Sequence, residues 1–150
     1  PAFQDCEFHF VTDSDVGEHG SNTIVHKELQ PNSKQLIDLY GRCDVFVMPT
    51  RADFFPLAIL EAMSMKMPVI STDVGGISEM VDDRHTGFLI RQNDVRALSD
   101  RLKTLIRNPE LRTDMGVRAR KTVELKFDLQ RNAEAVIDLV CRAARSKKIA

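Results

Sequence analysis

Residues 45–65 have the sequence VFVMPTRADFFPLAILEAMSM, and this stretch decides the predicted fold. Its first four residues form a continuous apolar run, which is typical of a strand covered on both faces in a parallel sheet. A helix is predicted to begin at Pro56, because proline is tolerated at the first helical position, where its missing N–H costs nothing. Two carboxylates therefore lie around a helix N-terminus, with Asp53 just before it and Glu61 about a turn and a half inside it.

Strands alternate with helices along the rest of the chain. The hydrophobic patterns predict strands at residues 7–12, 23–27, 45–48, 68–71 and 88–90. They predict helices at residues 33–42, 56–65, 77–81, 94–107, 109–126 and 129–143. This alternation gives βαβ units, so the predicted fold class is α/β: a Rossmann-like, mainly parallel sheet flanked by helices, with the C-terminal helices packed at one side. The predicted domain spans residues 1–145, and residues 146–150 are expected to fray.

The composition excludes several classes of protein. With 150 residues, 43% of them hydrophobic and 29% charged, the chain has the make-up of one ordinary globular domain. No apolar run approaches the ~20 residues that a membrane span needs. The three cysteines are widely spaced and form no C-x-x-C pair, so neither a disulfide framework nor a zinc site is expected. A reducing cytoplasm is the simplest expected location, and the start at Pro1 without an initiator Met is expected of a piece of a longer protein.

Charge is distributed unevenly along the chain. Residues 1–100 carry 8 Lys and Arg against 16 Asp and Glu, whereas residues 101–150 carry 13 against 6. The basic part falls on predicted amphipathic helices, so a solvated helical face is one interpretation. Peripheral contact with an acidic membrane surface is the other. Nucleic acid is not an expected partner, because the chain has no Trp, Tyr40 is its single Tyr, and no basic stripe is interleaved with aromatic residues.

Glu61 and Asp53 each have a structural and a functional interpretation. Glu61 emerges from a mostly apolar helix surface, and it is either an exposed residue on the one wet face or an acceptor for two adjacent hydroxyls of a ribose. Asp53 is either a helix cap, since Asp before a helix accepts free N–H groups, or an acceptor for sugar hydroxyls. The free amides and the positive dipole end of the helix favour a bound anion at the same place. These features motivate the hypothesis that residues 50–65 bind a sugar nucleotide.

Two further loops follow predicted strands. Gly75 and Gly76 form either a plain tight turn or a turn that leaves room for a ligand. Residues 13–15, Asp-Ser-Asp, are either a polar loop or a divalent-metal site that faces a diphosphate. Both loops are expected near residues 50–65, because ligands of open α/β sheets bind outside the carboxyl ends of the strands. The sequence contains no phosphate-binding loop, dinucleotide fingerprint or nucleophile motif, and its four histidines are scattered.

Four segments, in this order and spacing, resemble the C-terminal domain of group 1 retaining glycosyltransferases of GT-B fold. They are residues 44–50, 53–63, 68–79 and 86–90. The resemblance extends from about Phe8 to about Phe127, and it implies that the chain is one half of a GT-B enzyme. It also implies that an acceptor-binding domain, and a basic pair that neutralises the diphosphate, lie upstream of these residues in the whole enzyme.

The same resemblance implies roles for the site residues. Two acidic residues separated by seven positions mark the donor site of that family, and Asp53 and Glu61 match them. Asp53 is implied to be the catalytic residue that meets the transferred sugar, and Glu61 is implied to bind the donor ribose. The other donor-binding residues that it implies are Phe54, Phe55 and Leu57, through their backbone N–H groups, and Gly75, Gly76 and Glu79, which line or brace the cleft. It implies no metal and no cofactor, and the donor substrate is a nucleoside-diphosphate sugar.

The match departs from the family pattern at the first acid. That acid is usually Glu followed by Gly, whereas here Asp53 is followed by Phe54, which implies either an altered donor preference or a weakly active site. The expected function is metal-independent transfer of a sugar to an acceptor hydroxyl with retained configuration, in glycan or polysaccharide biosynthesis. The 150 residues alone are expected to be inactive. The alternatives are a degenerate, non-catalytic sugar-nucleotide-binding or scaffolding module and, within the same fold, a sugar-nucleotide epimerase.

Overall fold

The computed structural model describes residues 3–146, which divide into two compact units. The first unit ends at Cys43 and the second begins at Asp44. All strand pairs in the described residues are parallel, and helices alternate with strands from β2 to α4. The predicted α/β class with a mainly parallel sheet is therefore confirmed, although the strands form two separate sheets. The outer bounds of the predicted domain, residues 1–145, stay a prediction.

The first unit consists of two strands and one helix. β1, Phe8–Val11, pairs in parallel with β2, Thr23–His26. The residues between them, 12–22, form no helix, although parallel strands are usually joined by one. α1, Lys34–Tyr40, begins directly after Ser33, whose hydroxyl oxygen caps the helix by accepting a backbone N–H at 3.2 Å.

The second unit is built on a three-stranded parallel sheet. Its strands lie in the order β3, Phe46–Met48; β4, Val69–Thr72; and β5, Gly87–Ile90. Every residue of the central strand β4 is buried, as expected of a strand in the middle of a covered parallel sheet. The buried hydroxyl of Ser71 donates to the carbonyl oxygen of Met48 at 2.8 Å, so this polar side chain is satisfied inside the core.

Five helices of the described chain belong to the second unit. They are α2, Leu57–Ser64; α3, Ile77–Met80; α4, Val95–Arg107; α5, Pro109–Lys126; and α6, Leu129–Ser146. α4 and α5 pack against the sheet, where Leu105 and Met115 join Ile70 and Phe88 in the buried core. The side chains of residues 129–144 in α6 are exposed instead. None of the described helices combines the length and the apolar character that crossing a membrane requires.

The helix boundaries differ from the predicted ones by at most three residues, and two of these differences bear on the site and on the expected tail. Pro56 is the N-cap of α2, with an extended backbone (ψ 110°), and the helix begins one residue later. The φ of −71° at this proline suits an N-cap as well as a first helical residue, so the sequence pattern does not separate the two positions. α6 continues to Ser146, so this residue is helical and is not part of a frayed tail. Residues 147–150 of the expected tail lie outside the described residues.

α5 holds α2 in place. Gly116 of α5 lies so close to the end of α2 that a Cβ atom at this position would overlap with the carbonyl oxygen of Lys66. Arg120, one turn further along α5, donates through Nη1 to the carbonyl oxygen of Ser64 at 2.6 Å. This bond satisfies one of the carbonyl groups that a helix C-terminus leaves without an intrahelical partner. The position of the helix that carries Glu61 therefore depends on α5.

Candidate functional site

The loop from β3 to α2, residues 49–56, contains the first predicted acid and is held by two long-range contacts. The hydroxyl of Thr72, the last residue of β4, donates to the carbonyl oxygen of Thr50 at 2.6 Å. Gln92, just after β5, donates through Nε2 to the carbonyl oxygen of Arg51 at 2.6 Å. These bonds fix the loop beside the carboxyl ends of β4 and β5, where ligands bind in parallel α/β sheets.

Asp53 closes a tight turn within this loop. Its Oδ1 accepts the backbone N–H of Phe55 at 3.1 Å, as Asp side chains often do two residues ahead of themselves. The interpretation of Asp53 as the cap of α2 is therefore wrong, because the N-cap is Pro56 and no side chain caps the helix. The prediction failed because a cap must stand at the N-cap position, and Asp53 lies ahead of it in the chain.

The N-terminus of α2 keeps hydrogen-bond donors without acceptors. Within residues 3–146, the backbone N–H groups of Phe54 and Leu57 have no acceptor. The third predicted donor, the N–H of Phe55, is occupied by the Asp53 carboxylate. The N–H of Leu57, the first helical residue, lies at the positive end of the helix dipole, which is the arrangement that binds phosphate and other anions in proteins. The N–H of Phe54 belongs to the loop before the N-cap Pro56. Two of the three predicted donors are thus open.

Glu61 lies on the second turn of α2 and is half-buried. The side chains of Ile59, Ala62 and Met63 around it are fully buried, so one face of the helix packs in the protein interior. The interpretation of Glu61 as a fully exposed residue on a wet face does not fit this position. A half-buried carboxylate on a helix that α5 holds has restricted freedom, which favours a fixed acceptor.

The turn between β4 and α3 packs directly on the backbone of Asp53 and Phe54. Gly76 donates its N–H to the carbonyl oxygen of Phe54 at 2.7 Å. Gly75 has a φ of +55°, and a Cβ atom there would overlap with the carbonyl oxygen of Asp53 and lie 2.9 Å from the Cα of Phe54. The expected meeting of these two strand-end segments is confirmed. On the side where a Cβ atom would point, the space beside Gly75 is filled by the backbone of Asp53 and Phe54, so the two glycines support this loop. Gly75 is exposed on its other side, and the space it leaves for a ligand there stays a prediction.

The remaining predicted residues differ in exposure. Phe54 is 80% exposed and Leu57 is 65% exposed, so both present apolar side chains to solvent. Phe55 turns the other way and packs its ring against Phe127, with 5.9 Å between the ring centroids. Glu79 is exposed on α3. The donor-binding roles of these residues, and those of Gly75 and Gly76, stay predictions.

The aspartates of the alternative metal site are engaged in loop structure. Asp13 Oδ1 accepts the N–H of Glu28 at 2.8 Å, and Asp15 Oδ1 accepts the N–H of Gly17 at 3.0 Å. In the part of the chain that the structure describes, no group of three or more His, Cys, Asp or Glu side chains is placed to hold a metal ion. These contacts favour the polar-loop interpretation. The loop belongs to the first unit, and its expected place beside residues 50–65 stays a prediction.

The pairing of β1 and β2 brings together two histidines that are far apart in the sequence. His9 Nδ1 and His26 Nε2 are 3.0 Å apart, and Glu7 Oε2 lies 3.6 Å from the other ring nitrogen of His9. Burial, followed by the charges of His9 and Arg42, lowers the pKa of His26 below its ordinary value of 6.5. One imidazole must donate and the other must accept, so this hydrogen bond requires at least one neutral ring.

Several arginine side chains of α5 and α6 form hydrogen bonds or ion pairs within the fold. Arg112, Arg118, Arg120 and Arg131 each donate to a backbone carbonyl oxygen. Arg112 also forms an ion pair with Asp44 at 3.3 Å. These contacts account for part of the basic excess of residues 101–150, and they favour its interpretation as solvated helical faces. No observation on the described residues supports contact with a membrane.

A surface hollow of about 320 Å³ lies at the start of α4. The residues that line it are Asp94, Arg96, Ala97, Asp100 and Arg101. The carboxylate of Asp94 accepts the N–H of Ala97 at 2.8 Å as the N-cap of α4, so one of its acids has a structural role. None of the predicted site residues lines this hollow, and its acids and cations balance each other. The candidate site therefore remains the N-terminus of α2.

Sequence comparison connects this site with characterised proteins. The sequence model of the family described as "Glycosyl transferases group 1" matches residues 18–122, which include Asp53 and Glu61. The capsular polysaccharide biosynthesis glycosyltransferase CapM of Staphylococcus aureus is 36% identical over 94 residues, which are 63% of this chain and 25% of CapM. The chain thus spans about a quarter of the length of this curated relative.

Solved structures share the fold. Sucrose-phosphate synthase of Thermosynechococcus elongatus has a TM-score of 0.79 at 22% identity, and the match covers 92% of this chain and 38% of that one. HepE of Anabaena, solved in complex with UDP-glucose, has a TM-score of 0.73 at 20% identity, and the match covers 81% of this chain and 33% of HepE. The predicted fold is therefore confirmed, and the chain spans about a third of each of these structures.

Proposed function

Because this chain belongs to the group 1 glycosyltransferases, whose GT-B fold it shares, we propose that it forms the donor-binding part of a retaining, metal-independent sugar transferase. The observation that carries the proposal is the N-terminus of α2. It has no side-chain cap, it keeps open N–H groups, and two carboxylates lie on either side of it in the sequence. A sugar nucleotide has phosphates for the N–H groups and hydroxyls for the carboxylates.

Each part of the donor has a proposed partner. The diphosphate lies against the helix start, where the N–H groups of Leu57 and Phe54 donate to its oxygens. Glu61 accepts hydrogen bonds from the two hydroxyls of the ribose, since a carboxylate has two oxygens and can accept from both. Asp53 accepts a hydrogen bond from a hydroxyl of the transferred sugar and acts there as the catalytic residue. Gly75 and Gly76 maintain the position of Asp53 from the opposite side.

Catalysis at such a site consists mainly of positioning and of stabilising charge. When the bond between the sugar and the phosphate breaks, negative charge grows on the leaving diphosphate, and donors that already point at it lower the barrier. The open N–H groups of α2 supply part of this stabilisation. Additional cations and an acceptor site are proposed to lie in the regions that the longer relatives have outside the match. The 150-residue chain alone therefore binds donor weakly and does not turn over.

Two of the similar proteins support the substrate class. HepE was solved with UDP-glucose, and CapM is a glycosyltransferase of capsular polysaccharide biosynthesis. A uridine-diphosphate sugar is therefore the first donor to test, and glycan or polysaccharide biosynthesis is the proposed setting. Guanosine-diphosphate sugars are the second donor class to test.

Substitution of Glu61 tests the proposed function. We expect Glu61→Gln to lower the affinity for UDP and UDP-glucose about tenfold or more, because hydrogen bonds to a charged group contribute about 1.5–3 kcal/mol. Ligand-observed NMR titration of the 150-residue chain, which detects weak binding, measures the affinity. Glu134→Gln, at an exposed glutamate of α6, is the matched control and should change nothing. Equal affinity of the wild type and Glu61→Gln would contradict the assignment of the ribose to Glu61.

A non-catalytic sugar-nucleotide-binding module is the second candidate. Two features at the proposed position of the transferred sugar favour it. Asp53 has a shorter side chain than the Glu that is usual in the family, and the bulky Phe54 follows it. A longer polypeptide that includes the upstream regions distinguishes the two functions. Donor binding together with sugar transfer supports the enzyme, whereas donor binding without hydrolysis or transfer supports the module.

A further inference from the structure

We propose that the side chain of Phe54 is the surface on which the sugar ring of the donor packs, and that Phe54 thereby determines which sugar the site accepts. This inference rests on the proposed function. Its first observation is exposure: the ring of Phe54 is 80% exposed, although a large aromatic side chain is normally covered in a folded domain. The neighbouring Phe55 is covered more, at 36% exposed, because its ring packs against Phe127.

The second observation is that hydrogen bonds and packing fix the backbone of Phe54, whereas its side chain is exposed to solvent. Gly76 donates to its carbonyl oxygen at 2.7 Å, and the backbone of Gly75 packs against its Cα. The residue before it, Asp53, is tied to the residue after it through the hydrogen bond to Phe55. With the backbone fixed, only the two side-chain torsions of Phe54 become ordered when a ligand covers the ring, which keeps the entropic cost of binding low.

The third observation is the chemistry within residues 53–57. This short segment presents a carboxylate at Asp53, an exposed aromatic ring at Phe54, and an exposed apolar side chain and an open N–H at Leu57. A pyranose ring linked to a phosphate carries the complementary groups: an apolar face of C–H groups, hydroxyls around its rim and an anion at one end. A nucleotide without the sugar would use the N–H group and leave the Phe54 ring uncovered.

The proposal predicts that Phe54 affects the sugar and not the nucleotide. We expect Phe54→Ala to lower the affinity for UDP-glucose about three- to tenfold and to change the affinity for UDP less than about twofold. Phe54→Tyr keeps the ring and should behave as the wild type. Val95→Ala, at a 76% exposed valine of α4, is the control for removal of an exposed apolar side chain. Ligand-observed NMR titration of the 150-residue chain gives these affinities, with GDP and GDP-mannose as a second pair.

The titrations distinguish failure of the Phe54 proposal from failure of the proposed function. Equal losses for UDP and UDP-glucose in Phe54→Ala would show that the ring does not contact the sugar specifically and would overturn this proposal. An unchanged or higher affinity of Phe54→Ala for UDP-glucose would show that Phe54 obstructs the sugar, and this also overturns it. If the wild type binds neither the uridine pair nor the guanosine pair, the proposed function itself fails, and the role of Phe54 fails with it. Unchanged thermal unfolding of Phe54→Ala confirms that the variant is folded.

Discussion

At the scale of a single residue, Gly75 joins the two segments of the candidate site, which are the loop of residues 49–56 and the turn between β4 and α3. Its φ of +55° is a left-handed conformation that glycine adopts without cost, and its missing side chain lets the β4–α3 turn lie on the backbone of Asp53. The contact has two consequences. It fixes the loop that carries Asp53 and Phe54, and it makes this loop sensitive to a single methyl group at Gly75.

Gly75→Ala tests this dependence. We expect it to destabilise the second unit by about 2–3 kcal/mol, because a left-handed alanine costs about 1 kcal/mol and the overlap with Asp53 adds to it. Urea unfolding followed by circular dichroism measures the change. Gly17→Ala, measured on the unfolding of the first unit, gives the conformational cost alone, because Gly17 has a φ of +64° with nothing within 4 Å of its Cβ position. Equal effects of the two substitutions would show that the packing on Asp53 contributes nothing.

At the scale of elements, the site depends on the difference between the two ends of α2. The N-terminus is left open, with Pro56 as a cap that offers no side-chain hydrogen bond. The C-terminus is held by α5, through the close approach at Gly116 and the hydrogen bond from Arg120 to Ser64. An open N-terminus is available to an anion, and a held C-terminus keeps it in position.

Gly116→Ala tests the role of the α2–α5 contact. The added methyl group would overlap with the carbonyl oxygen of Lys66, so the helices must separate, and we expect a loss of about 2 kcal/mol or more in the free energy of unfolding. Affinity for UDP should fall as well, because the N-terminus of α2 moves with the helix. Val117→Ala, at the half-exposed next position, should change stability by less than about 0.5 kcal/mol. Normal stability of Gly116→Ala would mean that the two helices accommodate the methyl group without separating.

At the scale of the whole molecule, the two units are stabilised differently. The second unit has a buried core shared by the sheet, α4 and α5. In the first unit, the histidine pair links β1 and β2 across one face of a two-stranded sheet. A titratable hydrogen bond makes the stability of the first unit depend on pH, whereas the apolar contacts in the core of the second unit do not titrate.

The histidine pair predicts the direction of this dependence. The pKa of His26 is lowered in the folded state, so the unfolded chain binds more protons as the pH falls through 6.5. The contribution of His26 is therefore fully present above pH 6.5 and is lost as the pH falls below it. We expect the urea midpoint of the first unit to be lower at about pH 5.5 than at about pH 7.5. Fluorescence of Tyr40 reports on this unit, since the chain has no Trp and no other Tyr.

Two variants separate His26 from the other titrating groups. His26→Gln should reduce the pH dependence of the Tyr40 signal. His85→Gln, at an exposed histidine of the second unit, should leave it unchanged. The same midpoint shift in wild type and His26→Gln would show that other groups are responsible.

The class of fold, most of the helix and strand positions, and the two acids proposed for the site can be predicted from the order of the amino acids. These features are local: they follow from hydrophobic periodicity, from proline and from the spacing of residues within one segment. The continuous run at 45–48 was placed correctly as a strand, and the open helix start at 57 follows from the proline before it. Family membership followed from the order of the segments.

The contacts that individual side chains and backbone groups make could not be predicted from the sequence. Spacing left Asp53 as a possible cap, and the backbone geometry assigned its carboxylate to Phe55 instead. The close approach of Gly75 and Gly76 to the backbone of Asp53 and Phe54 is likewise visible only in the folded chain. The four histidines are scattered along the sequence, and the register of β1 and β2 brings two of them within hydrogen-bond distance. The physical reason is the same in each case: these contacts join segments that are distant in sequence, or depend on backbone angles, and neither is encoded in a local pattern of residue types.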